Sequence, residues 1–274
     1  MAEYPCSDPI TIKTSIAAGS IKITTEDRDT VAVDVTSPDD GAAAEATEVS
    51  FNGNTLEITY PDSSRGWFRR HNKVDVVVVA PLDSTARIGV ASASVECRGK
   101  FDQMKVKTAS GNVDIDDVTG DLEVQSASGD TRVASVGGQL SFRSASGRLE
   151  VSDVGGSIGV KTASGKIEIG AAGGDVKAQS ASGSLQVGAA HRGIIIMKTA
   201  SGKASVGVAP GTGVWLDLDS TSGRINTGLD TVANPPDNRD LTIRIRTVSG
   251  SIDILRAVEP ATVQDSPHSL IGAS

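Results

Sequence analysis

A Ser-Gly turn followed by alternating apolar residues recurs eight times between Lys105 and Arg256, and no other feature constrains the fold as strongly. The turn glycines are Gly111, Gly129, Gly147, Gly165, Gly183, Gly202, Gly223 and Gly250. Their first four intervals are 18 residues and the later ones 19, 21 and 27, the pattern of loops inserted into a fixed unit. Each unit divides into two similar halves, a turn and a short strand in each, so that Ser128 to Val133 is echoed by Gly137 to Phe142. Like positions must then stack on like positions, which hairpins cannot achieve. The spacing predicts an all-β, single-stranded parallel β-solenoid, of the β-helix or β-roll kind, built from 18-residue two-strand coils.

The inward columns follow from strand alternation. Two and four residues after each turn glycine stand pairs such as Val113/Ile115, Leu149/Val151 and Ile252/Ile254; seven and five before it stand Leu122/Val124, Leu140/Phe142 and Ile243/Ile245. The unit of Gly223 contributes Leu216, Leu218, Ile225 and Thr227 to the same columns. With only four Phe, two Tyr and two Trp, the interior must be filled by small and β-branched residues. A tight corner commonly requires φ > 0, which explains a glycine at each turn. Seven intervals at about 4.8 Å give a rod on the order of 35 Å long.

Upstream, residues 1–9 read as an irregular lead-in and residues 10–104 as less regular coils of the same domain, which runs to residue 256. Alternating segments are Ile10 to Lys13, Gly19 to Thr24, Thr30 to Val35 and Val74 to Ala80. Asn52-Gly53-Asn54 is a hairpin turn between Glu48 to Phe51 and Thr55 to Tyr60. Asn234 to Asn238 is an inserted loop, and residues 257–274 lose the pattern and read as a disordered tail.

A net charge of −8 argues against general nucleic-acid binding. No apolar run has transmembrane length, and the first residues have no charged start followed by an apolar stretch, so the expectation is a cytoplasmic protein. Cys6 and Cys97 are too few for a disulfide framework or a zinc site; Cys97 falls in an inward column, 18 residues before Ile115.

Three features in order, Ala18-Gly19-Ser20-Ile21-Lys22-Ile23, Val74 to Pro81 and the Thr108-Ala109-Ser110-Gly111 type of repeat, resemble a bacterial family of β-strand repeats known as putative adhesins. The resemblance covers roughly residues 10–256. It implies a β-solenoid and an adhesion or envelope-related role, with no catalytic residues to carry over.

The residues themselves give little chemistry. The three histidines, His71, His191 and His268, are scattered, and the repeated serines read as turn formers whose hydroxyls bond the backbone. Val136 to Leu140 is similar to a calcium-binding nonapeptide, but the aspartate is missing, so no metal or other cofactor is expected. A polysaccharide-cleaving enzyme would need paired carboxylates and aromatic platforms, whereas the array holds only Phe101, Phe142 and Trp215. Two binding candidates remain. One is the loop Arg65, Trp67, Phe68, Arg69, Arg70 and His71, which would either anchor a protein or an anionic surface or fold back on the solenoid flank. The other is a basic stripe flanking one corner, Lys107, Arg143, Arg148, Lys161, Lys166, Lys198, Lys203 and Arg224, read either as solvated surface or as a linear site for an anionic polymer or acidic partner. The expected function is a non-enzymatic scaffold or binding protein, with end-to-end self-association as the alternative.

Overall fold

The computed structural model describes residues 1–38, 41–60, 73–229 and 240–257. The candidate loop from Arg65 to His71, the insertion from Asn234 to Asn238 and the tail beyond residue 257 lie outside the described residues. What is described is all-β, with 22 strands and one four-residue helix. The first strands are β1 (Ala2–Pro5), β2 (Thr11–Ile16), β3 (Gly19–Glu26) and β4 (Thr30–Thr36), followed by α1 (Ala42–Glu45). Next come β5 (Glu48–Asn52), β6 (Thr55–Thr59), β7 (Val74–Pro81), β8 (Ser84–Val90), β9 (Ser94–Thr108) and β10 (Val113–Val118). The middle holds β11 (Leu122–Ser126), β12 (Thr131–Val136), β13 (Leu140–Ser144), β14 (Arg148–Val154), β15 (Ile158–Ala172) and β16 (Val176–Ala190). The last are β17 (Gly193–Ser201), β18 (Ala204–Val208), β19 (Val214–Ser220), β20 (Ile225–Thr227), β21 (Leu241–Thr247) and β22 (Ile252–Arg256).

These strands form two walls. Wall A runs β1, β4, β7, β3, β9, β10, β12, β14, β15, β16, β18, β22, β20. Wall B runs β5, β6, β2, β8, β9, β11, β13, β15, β16, β17, β21, β19. Strands β9, β15 and β16 are long because each bends through a corner and serves both walls. In the array the pairing is parallel and in register at the repeat length, with Leu122 opposite Leu140 and Leu140 opposite Ile158. The inward side chains of both walls meet in one apolar core that includes Phe101, Phe142 and Cys97. Burial pushes the Cys97 thiol far above its ordinary range.

Three departures from the simple repeat stand out. First, residues 1–9 are not an irregular lead-in, because β1 pairs antiparallel with β4, which itself pairs antiparallel with β7. With the β5–β6 hairpin, these strands close the N-terminal end, and Tyr4 of β1 meets Phe51 of β5 at 5.4 Å. A purely parallel stack would have left that edge open. Second, the units do not stack in chain order. β21 and β22 pair directly with β17 and β18, which pushes β19 and β20 to the outside. The 27-residue interval before Gly250 supplies the chain for this step back. In consequence Ile225, expected in the core, is 42% exposed, and Thr227 is exposed with it. The same happens near the start, where β8 returns to pair with β2 while β6 lies outside it.

Third, the corner glycines have a different common cause from the one expected. Five of the eight, Gly129, Gly147, Gly165, Gly183 and Gly202, have positive φ, but Gly111, Gly223 and Gly250 do not. All eight are required by stacking: a Cβ at Gly165 would overlap the Gly147 carbonyl oxygen, and one at Gly250 would overlap that of Gly202. The hydroxyl three residues earlier reports which corner forms. Where φ is not positive, Thr108, Ser220 and Thr247 accept the glycine N–H at 2.9 to 3.0 Å. At the corners of Gly129, Gly147, Gly165 and Gly202, the hydroxyls of Ser126, Ser144, Thr162 and Thr199 instead donate to the carbonyl two residues on, at 2.8 to 3.1 Å.

Candidate binding face

Parallel register turns single residues into columns, so a cation repeated in the sequence becomes a ladder on the surface. The expected basic stripe divides across the Ser-Gly corner. Lys107, Arg143, Lys161 and Lys198 stand on the outside of wall B, whereas Arg148, Lys166, Lys203 and Arg224 stand on the wall A side.

The two halves have different neighbours. On wall A, cations meet carboxylates: Lys166 pairs with Glu168, Lys203 with Asp253 at 2.8 Å, and Arg132 with Glu150 at 3.7 Å. Lys203 and Asn226 hold the Asp253 carboxyl below its usual range. Further along, Arg98 is gripped by Glu96, Asp114 and Asp116 at 2.8 to 3.0 Å. That wall is neutralised in part, since among the described residues Arg148 and Arg224 have no carboxylate within ion-pair distance.

On wall B the unpaired cations form a run. One outward column runs Lys107, Gln125, Arg143, Lys161, Gln179, Lys198, Arg246. The adjacent one runs Arg87, Lys105, Glu123, Ser141, Gly159, Lys177, Ile196, Arg244. Among the described residues, Lys107, Lys161, Lys177 and Lys198 have no carboxylate partner within ion-pair distance. Glu123 answers Lys105 and lies 4.0 Å from Arg143; the Lys105 and Gln125 hydrogen bonds hold its carboxyl below the usual range. At the far end Arg246 reaches Asp217 and Asp219 at 3.4 and 3.8 Å, and Arg244 lies over the Trp215 ring at 5.6 Å.

Arg87, Lys105, Lys177 and Arg244 were not in the expected stripe. Lys105, Lys177 and Arg244 occupy the position six before the turn glycine, which has the same outward parity as the position four before it, so alternation carried that signal.

Small residues in the second column hollow this surface. A groove of about 710 Å³ lies along Arg87, Lys105, Glu123, Gln139 and Arg143, and an adjoining one of about 430 Å³ along Ser141, Ser157, Gly159, Lys177, Ile194 and Ile196. They share Gln139 and Ser141, and neither is lined by an aromatic residue. No three His, Cys, Asp or Glu side chains converge as a metal site among the described residues. No helix there is long and apolar enough to cross a membrane.

A family model described as Toastrack DUF4097 matches residues 8–255. No curated protein matches the chain. Among solved structures, one described as a putative adhesin from Parabacteroides distasonis is 14% identical, covering 93% of this chain and 95% of its own, with a TM-score of 0.38. A putative adhesin from Bacteroides fragilis is 13% identical over 93% and 95% of the two chains, with a TM-score of 0.33. A structure described as a putative lipid binding protein, also from Parabacteroides distasonis, is 14% identical over 93% and 96%, with a TM-score of 0.36.

Proposed function

This chain belongs to the Toastrack DUF4097 family, and we propose that it is a non-enzymatic β-solenoid binding scaffold whose wall B receives an anionic partner. The 18-residue register of the array supports the solenoid reading. The observation that carries the binding reading is a run of cations: Lys161, Lys177 and Lys198 stand without a carboxylate partner on three successive strands of wall B, whereas on wall A Arg132, Lys166 and Lys203 are each paired. Like charges in neighbouring positions repel, which lowers stability. A partner that neutralises them recovers that energy on binding. A cleaving enzyme is the weaker reading, because the grooves offer carboxylates without an aromatic platform.

The test is retention of the purified protein on dextran sulfate against uncharged dextran, at low and high salt. Retention on the sulfated matrix alone, released by salt, is the expected result, since exposed charges are screened. Equal behaviour on both matrices would sink the reading.

A further inference from the structure

We propose that the anionic partner is a linear polysaccharide with a carboxylate on each sugar, lying along the stacking axis of wall B; this deepens the binding reading above and rests on it. Spacing selects this ligand. From β13 through β15, β16 and β17 to β21, every strand places a cation outward: Lys161, Lys177 and Lys198 without a carboxylate partner, and at the two ends Arg143 and Arg246, which lie within 4.0 Å of Glu123 and of Asp217 and Asp219 respectively. Neighbouring strands lie about 4.8 Å apart, so these five charges span roughly 19 Å in single-strand steps. One pyranose ring advances an extended chain by close to the same step, so a carboxylate per sugar meets a cation per strand.

The ends of the ladder are marked by acids, Glu123 on β11 and Asp217 with Asp219 on β19. Their pairing with Lys105 and Arg246 leaves the three lysines between them as the unpaired stretch. Duplex DNA, with a charge about every 1.7 Å of its axis, is far denser than this ladder. The ground beneath the ladder suits a sugar, because the groove of about 430 Å³ offers hydroxyls beside the half-buried Ile196 and the exposed Ile194. A pyranose likewise has polar edges and apolar ring faces. Lysine ammoniums, with three rotatable donors, can serve a carboxylate and a neighbouring hydroxyl together.

The experiment measures binding of polygalacturonate and its oligomers to the full chain by calorimetry, for wild type, K161E/K198E on wall B and K166E/K203E on wall A. The expected result is affinity that climbs with oligomer length and levels off near five sugars, together with a loss of about tenfold or more in K161E/K198E. The wall A variant should change by no more than about twofold. All four lysines are exposed on the surface, and K161Q/K198Q, which removes charge without reversing it, checks that any loss is not misfolding. Affinity independent of length, or equal losses in the two variants, would overturn the inference. Binding of poly(glycerol phosphate) or phosphatidylglycerol vesicles, with polygalacturonate ignored, would overturn it and leave the binding reading standing. Failure to bind any of these polyanions would overturn both.

Discussion

The corner glycines act at the scale of single atoms. Strand spacing is fixed by backbone hydrogen bonds, so nothing can be wedged between one corner and the next without breaking the ladder on both walls. At Gly165 two penalties add, a φ of +150° and the overlap of any Cβ with the Gly147 carbonyl oxygen. Gly165→Val should therefore destabilise the protein by more than about 2 kcal/mol, seen as a lower melting temperature. Gly53, in the β5–β6 hairpin, also has positive φ, but a Cβ there meets nothing within 4 Å. Gly53→Asn, which suits that φ, should melt within a few degrees of wild type. Equal losses in the two variants would show that stacking is not the cause.

At the scale of strands, position in the stack rather than in the chain sets protection. β21 and β22 follow β19 and β20 in sequence, yet lie inside them, paired on both edges. Among the described residues, β19 and β20 have a partner on one edge only, and Leu216 and Leu218 are half-buried where their counterparts Ile243 and Ile245 are fully buried. Local opening should then be easier in the outer pair. Hydrogen exchange followed by mass spectrometry is expected to show Val214–Ser220 exchanging well before Leu241–Thr247. The reverse order, with fraying from the chain terminus inward, would contradict the pairing.

For the whole molecule, the ends differ in kind. Head-to-tail growth needs a parallel edge at each end with the same register, and the N-terminal end instead presents antiparallel β1 and β5 with their Tyr4–Phe51 contact. End-to-end filaments, the alternative raised by the repeat, would have to join unlike edges among the described residues. Light scattering over a range of concentrations is expected to give a mass that does not climb beyond a small fixed oligomer. A mass that rises without limit would restore self-assembly as the leading function. The walls differ too: a chain with net charge −8 still carries three unpaired lysines on successive strands of wall B, because register stacks like positions on like.

The repeat alone determined that the chain is all-β with parallel strands, which side chains point inward, and where the corners fall. Phe142 and Cys97 lie in the core where alternation put them, since a period of two allows no other face. The hairpin at Asn52-Gly53-Asn54 was legible for a similar reason, as few residues tolerate the φ values of +51° and +59° at Gly53 and Asn54. What the tertiary structure decided was everything that depends on which unit lies beside which. A repeat makes neighbouring units nearly interchangeable, so the sequence holds no strong preference between stacking Gly250 on Gly202 or on Gly223. Only the assembled walls choose, and that choice exposes Ile225 and buries Ile252. The binding face follows the same division: the period placed Lys161 and Lys198 outward, but whether a carboxylate stands within reach is settled by neighbours one or two strands away in space.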